Sequence, residues 1–239
     1  MAADTLARLN SPYALGPFYT NPLRELVDGF NFVQVCAQDG PDLFVCATNV
    51  RDGKVRVFTN DEITTDAILA SACLPTLFQA VEIEDPKTGQ LEAYWDGGFT
   101  GNPALFPMFA PSLPNDIVVV NINPLRREKL PVTPQQIQNR INEISFNSSL
   151  LRELRAISFV QRLLAQGSIA QAAMKNVYVH MISDDALMND LSVATKQVPL
   201  PSVLAQLRAA GRKAADGFLA SHKQDLNQKQ TVNLADMFG

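Results

Sequence analysis

Two runs constrain this 239-residue chain most: 116–123 (DIVVVNIN) and 176–182 (NVYVHMI), both apolar without alternation. Successive side chains of a strand point to opposite faces, so such a run suits a strand covered on both sides, as in a parallel sheet flanked by helices. Shorter runs at 32–37 (FVQVCA), 43–50, 54–59, 79–84 and 91–96 read as further strands. Asp52-Gly53 separates two of them at hairpin distance, and Asp85-Pro86-Lys87-Thr88-Gly89 separates another pair. Antiparallel hairpins therefore accompany the parallel part.

Helical periodicity fills the remaining stretches. Residues 61–73 carry acidic residues in their first turn, have Asn60 or Asp61 as a cap and stop before Pro75. From Pro134 to Ala165, Ile137, Ile141 and Ile144 share one face, and the face restarts as Leu150, Leu151, Leu154, Ile157 and Leu164, which predicts two helices or one bent one. A last helix over 202–222 would bury Val203, Leu207, Ala210, Ala214 and Phe218, with Gly211 beside that face to permit close packing. The expected class is α/β, a mixed and mostly parallel sheet flanked by helices. No internal repeat or Pro/Gly/Ser-rich linker marks a boundary.

Charge and cysteine usage exclude several roles. A net charge of −4 without long single-sign blocks gives no electrostatic reason to expect nucleic acid. Cys36, Cys46 and Cys73 are odd in number and lack C-x-x-C spacing, so they read as reduced thiols in a cytoplasmic protein, with neither metal nor organic cofactor. The N-terminus has Asp4 and no apolar core of a leader, and no segment approaches the ~18 apolar residues of a membrane span. The chain is thus expected to be neither exported nor spanning. Asp61-Glu62, Glu82 with Glu84, and Asp184-Asp185 read as a helix start, an exposed strand face and a turn.

The chemistry concentrates in Tyr94-Trp95-Asp96-Gly97-Gly98. A strand that ends in a carboxylate and is followed by two glycines turns sharply and leaves that carboxylate at the end of the sheet. Its context is distinctive. Ala70-Ser71-Ala72-Cys73-Leu74-Pro75 and the segment Tyr94 through Pro107 (YWDGGFTGNPALFP) resemble patatin-like phospholipases of the bacterial type. Tyr19 through Leu26 (YTNPLREL), Ala47 through Val50, Asn139 through Asn147 and Ala210 through Asp216 extend the likeness in the same order, over about residues 11 to 238.

This resemblance implies a three-layer fold and a lipid acyl hydrolase working through a Ser-Asp pair without histidine. A neutral serine hydroxyl needs a group to take its proton as it attacks an ester carbonyl, and a partly buried carboxylate can do so. By resemblance Asp96 is that base, Gly97 and Gly98 form its turn, and Ala70, Ser71, Pro75, Asn102 and Pro103 support the site. The family's other two parts, a G-x-S-x-G elbow and a glycine-rich oxyanion loop, are absent from residues 1–239: the only glycines four apart, Gly97 and Gly101, flank Phe99. The chain is therefore expected to be an incomplete patatin-like domain, with 1–110 holding the remaining catalytic part and 111–239 packing on the same domain.

Competing residues read as structural. Ser71 and Ser168 lack an elbow and suit packing or capping. His180 follows Asp96 in the order Ser…Asp…His of other hydrolases but lies inside an apolar strand, and His222 suits a helix end. Arg152, Arg155 and Arg162 form a solvated helix face paired with Glu153, or a stripe for peripheral contact with anionic lipid. The expected function is lipid acyl hydrolysis in which this chain holds the aspartate and not the serine. The alternative is a non-catalytic remnant or interaction module, pairing with a second copy or with a complementing patatin-like chain.

Overall fold

The turn at Asp52-Gly53 folds as its residues dictate: Gly53 takes φ +69°, and the Asn49 carboxamide oxygen accepts the Arg51 N–H at 2.8 Å. It joins β1 (Phe44–Asn49) to β2 (Val55–Thr59) in an antiparallel pair. A second hairpin joins β3 (Val81–Glu84) to β4 (Leu91–Asp96), and β4 pairs antiparallel with β1, giving the order β2-β1-β4-β3. The structure is a computed structural model that describes residues 11–35, 37, 40–86, 88–170, 173–191 and 200–238. It divides into two units, residues 1–104 and 105–239, each with its own core.

In the first unit, α1 (Arg24–Asp28) and α2 (Phe32–Val35) precede the sheet, and α3 (Thr65–Ser71) packs on it. The core is Val45, Ala47, Phe58, Ile63, Ala67, Ala70 and Tyr94, with Phe58 and Tyr94 edge to face at 5.6 Å. Residues 32–35, expected as strand, are helical. The Asn31 side chain accepts the Gln34 N–H, and this local cap outweighs the β-branched composition of a short run. Cys36, the rest of that expected strand's core, lies outside the described residues. The helix expected from residue 61 starts later: Asn60–Glu62 form a 3₁₀ turn closed by a capping box of Thr59 and Glu62, and Thr64 caps α3 itself.

The second unit is built on β5 (Asp116–Asn121) and β6 (Tyr178–Ser183), parallel from Asp116 opposite Tyr178 to Asn121 opposite Ser183. Its helices are α4 (Pro134–Ala165), α5 (Asp185–Asp190), α6 (Pro201–His222) and α7 (Leu234–Phe238). Leu105, Ile117, Val119, Leu150, Leu154, Ile157, Val177, Val179 and Leu234 form the core. Mixed α/β architecture stands, but antiparallel pairing joins four of the six described strands, because two tight hairpins satisfy backbone groups locally. Nor is β5 covered on both faces: Ile117 and Val119 are buried, whereas Val118 is 44% and Val120 69% exposed. The α6 helix packs on β6, and a cavity of about 410 Å³ separates its Val203, Leu207 and Ala210 from Val120 and Ile122.

The long helix α4 is single and uninterrupted over 32 residues, opened by a capping box of Thr133 and Gln136. After its end Gly167 adopts φ +67° and the Ser168 N–H returns to the Leu163 carbonyl. Leu150, Leu154 and Ile157 are buried as expected, but Ile137, Ile141 and Ile144 are exposed. Their half of the helix turns its polar side inward instead. Glu143 is 6% exposed and receives two hydrogen bonds from Arg127 and one from Arg140, while Asn147 donates to the Pro124 carbonyl. A buried carboxylate is tolerated when it is paired and its lone pairs are used, and that pairing decides which face goes in.

Gly211 does not mediate close packing: a Cβ there would meet no heavy atom within 4 Å, because the helix faces the cavity. Gly211→Ala is therefore expected to stabilise the protein by about 0.5–1 kcal/mol, since it removes backbone freedom from the unfolded chain and clashes with nothing. Urea unfolding would show it as a higher midpoint at unchanged slope.

Candidate functional site

Asp96 is the last residue of β4, opposite Ala47 of β1. The turn that follows, Gly97–Phe99, is capped by its own aspartate: Asp96 Oδ1 accepts the Gly98 N–H at 2.6 Å. The Asp96 N–H donates to the Cys73 carbonyl at 2.9 Å, and its carbonyl accepts the Thr48 hydroxyl at 2.8 Å. Three contacts thus hold one residue from three elements: the end of α3, strand β1 and the turn.

Gly97 is required sterically. A Cβ there would lie 2.2 Å from the Cys46 carbonyl oxygen, so the turn passes β1 closer than any side chain allows. Gly101 is similarly enclosed, 2.9 Å from Val55 Cγ2 and 3.1 Å from Ala104 Cβ. Gly98 is buried and supplies the capping N–H.

The other sequence-predicted residues divide. Ala70 is fully buried in α3, which packs against β4 and the Gly97–Phe99 turn. Ser71 donates to the Ile68 carbonyl at 2.8 Å, a bond within its own helix, as a capping role implies. Pro75 is half-buried just after Cys73. Asn102 and Pro103 follow the turn through a cis peptide bond, Asn102 half-buried and Pro103 exposed.

Burial pushes the Asp96 carboxyl above the usual carboxylate range, against the opposing effect of the Gly98 hydrogen bond. Among the described residues, Gly98 is the one hydrogen-bond donor to this carboxylate, so its second oxygen keeps lone pairs for an incoming proton. The larger cavities of the first unit, about 920, 840 and 280 Å³, are lined by other residues.

Sequence reading missed Cys73 and Thr48 as neighbours of Asp96. Cys73 is buried, and burial together with the Asp96 charge pushes its thiol up to about 11. Its Sγ donates to the Gln79 carbonyl at 3.1 Å, so at neutral pH it is a protonated, engaged thiol and a poor nucleophile. The strand spacing held a signal for Thr48: it lies one residue beyond the partner of Asp96 on β1, but only the pairing register reveals that.

His180 is occupied elsewhere. It is fully buried, with Nε2 2.8 Å from Asp116 Oδ1 and Nδ1 3.1 Å from Thr231 Oγ1. That is the satisfied core histidine the sequence favoured. His222 pairs with Asp225 at the end of α6. The arginine stripe is exposed as expected, with Arg155 over the Phe238 ring and Arg162 over Phe159, each at 5.5 Å. Glu153 is not mainly their partner: it accepts the N–H groups of Leu105 and Phe106, and burial pushes its carboxyl up. No described helix is long and apolar enough to cross a membrane.

Two outcomes follow from this geometry. Gly97→Ala should destabilise the first unit by roughly 3 kcal/mol or more, because backbone must move to admit the methyl group; thermal unfolding measures it. A raised carboxyl pKa means that the folded state holds its proton at a pH where the unfolded chain has released it. Stability from Asp96 is therefore present at acidic pH and falls as pH rises through the folded-state pKa. Asp96→Asn, which keeps an acceptor for Gly98, should gain stability relative to the wild type between acidic and neutral pH in paired urea melts. A difference independent of pH would contradict the assignment.

No curated protein matches the chain. Residues 9–108 match the family model for patatin-like phospholipases, a stretch that includes Asp96, the two glycines and the Ala70–Pro75 segment, while the likenesses at 139–147 and 210–216 lie beyond it. This match supports a likeness of residues 9–108 to patatin-like phospholipases.

Proposed function

We propose that this chain carries the proton-accepting half of a lipid acyl hydrolase, with Asp96 as the base for a serine located outside residues 1–239. The observation that supports it is the state of Asp96: a half-buried carboxylate at a strand end, with its pKa raised by burial and, among the described residues, one oxygen without a hydrogen-bond donor. Such a group is poised nearer to working pH than an exposed aspartate, and base catalysis is most effective there. Its three backbone and hydroxyl anchors hold it in place before any substrate arrives.

In the proposed reaction the serine hydroxyl transfers its proton to the Asp96 carboxylate as its oxygen attacks the ester carbonyl. The protonated carboxyl then returns that proton to the departing alkoxide, leaving an acyl-serine that water hydrolyses with Asp96 again accepting the proton. Backbone N–H groups for the oxyanion, like the nucleophile, would come from outside this chain's sequence. The substrate is a lipid or simple carboxylic ester.

The second reading is a non-catalytic interaction module. It is favoured by β5, which has a strand partner on one edge only among the described residues and presents exposed Val118 and Val120 beside it. An unpaired edge with an apolar face recruits another strand, from a second copy or a complementing patatin-like chain.

A fluorophosphonate probe and a short-chain nitrophenyl ester, applied to the native protein and to residues 1–239 alone, separate the two. Hydrolase function predicts a labelled serine outside residues 1–239 and a loss of about 10²-fold or more in turnover for Asp96→Asn. A native protein with the mass of residues 1–239, unlabelled and without esterase activity, would establish the interaction module instead.

A further inference from the structure

We infer that Thr48 is the positioning residue of the Asp96 turn, the group that aims the Gly98 N–H at the aspartate. Thr48 is 5% exposed on β1, an inner strand of the first unit's sheet, between Asn49 and the buried Ala47. Its hydroxyl lies 2.8 Å from the Asp96 carbonyl oxygen and 2.8 Å from the Thr100 hydroxyl. A hydroxyl has one proton. Because the carbonyl can only accept, Thr48 donates to Asp96 and Thr100 donates to Thr48. The result is a directed chain, Thr100 to Thr48 to Asp96, that begins and ends on the two sides of the glycine turn.

This chain sets the plane of the peptide between Asp96 and Gly97. The other side of that peptide is fixed by Gly97 lying against the Cys46 carbonyl. With both sides held, the next N–H, that of Gly98, points at Asp96 Oδ1 at 2.6 Å. Thr48 touches no reacting atom: it acts through the main chain of Asp96. A valine at this place fits a strand but leaves the Asp96 carbonyl and the Thr100 hydroxyl without their partner, and an unsatisfied buried polar group is costly. Among the described residues no other group bonds the Asp96 carbonyl, whereas Ser, which keeps the hydroxyl, would preserve the chain.

The catalytic meaning of this arrangement rests on the reading of Asp96 as the proton acceptor, but its geometry is testable without any activity. In residues 1–239, the Gly98 amide resonance should move with the ionisation of Asp96, because its proton is bonded to that carboxylate. Thr48→Ser should retain the movement and Thr48→Val should lose at least half of it, while amides in α4 stay put. An unchanged Gly98 titration in Thr48→Val overturns the inference. Should Thr48→Val fail to fold, Thr100→Val decides: removal of one hydrogen bond from the chain should speed Gly98 amide exchange roughly two- to tenfold, and an unchanged rate overturns the inference equally. Loss of turnover in Asp96→Asn is scored separately, so failure of the hydrolase reading leaves the Gly98 result standing, and the reverse.

Discussion

The contact between Gly97 and the Cys46 carbonyl is the constraint on which the candidate site depends. Strand β4 runs beside β1 and must leave it within one residue of Asp96, and the 2.2 Å that a Cβ would have to the Cys46 oxygen shows how little space that departure uses. A chain forced so close to its neighbour cannot relax sideways. Asp96 is then gripped at its N–H by the Cys73 carbonyl, at its carbonyl by Thr48 and at its carboxylate by Gly98, so the side chain is placed by its own main chain more than by packing. Such placement costs no reorganisation when a proton arrives.

The same interactions explain the electrostatics. Packing of α3 on the sheet withdraws Asp96 and Cys73 from water together, and burial raises both groups. Their effects diverge in use. A carboxyl with a raised pKa becomes a more effective base near neutral pH, whereas a thiol pushed to about 11 becomes inert. One environment therefore prepares one candidate group and silences the other.

The second unit follows a different logic, in which buried polar pairs choose between faces that apolar patterning leaves undecided. Glu143 draws its half of α4 inward because Arg127 and Arg140 complete its hydrogen bonds, and three isoleucines are left outside. His180 is held between Asp116 and Thr231, where the sheet meets the C-terminal segment, and the Val179 carbonyl accepts the N–H groups of Thr231 and Val232 beside it. Apart from Arg140, three residues from Glu143 on the same helix, these partners lie 16 to 64 residues apart, which no local pattern contains.

Residue order alone determined the turns, the strand end at Asp96 and the start and stop of α4, because Asp-Gly, Thr-Pro and Gly act through backbone conformation within a few residues. It also carries the likeness to patatin-like phospholipases, which resides in short segments such as 70–75 and 94–107. Tertiary structure alone decided that β5 keeps one open face, that Gly211 faces a cavity, and that Cys73 and Thr48 are the neighbours of Asp96. Each of those depends on which distant groups satisfy a buried polar atom or cover an apolar one, and that is a property of the folded contacts, not of the local sequence.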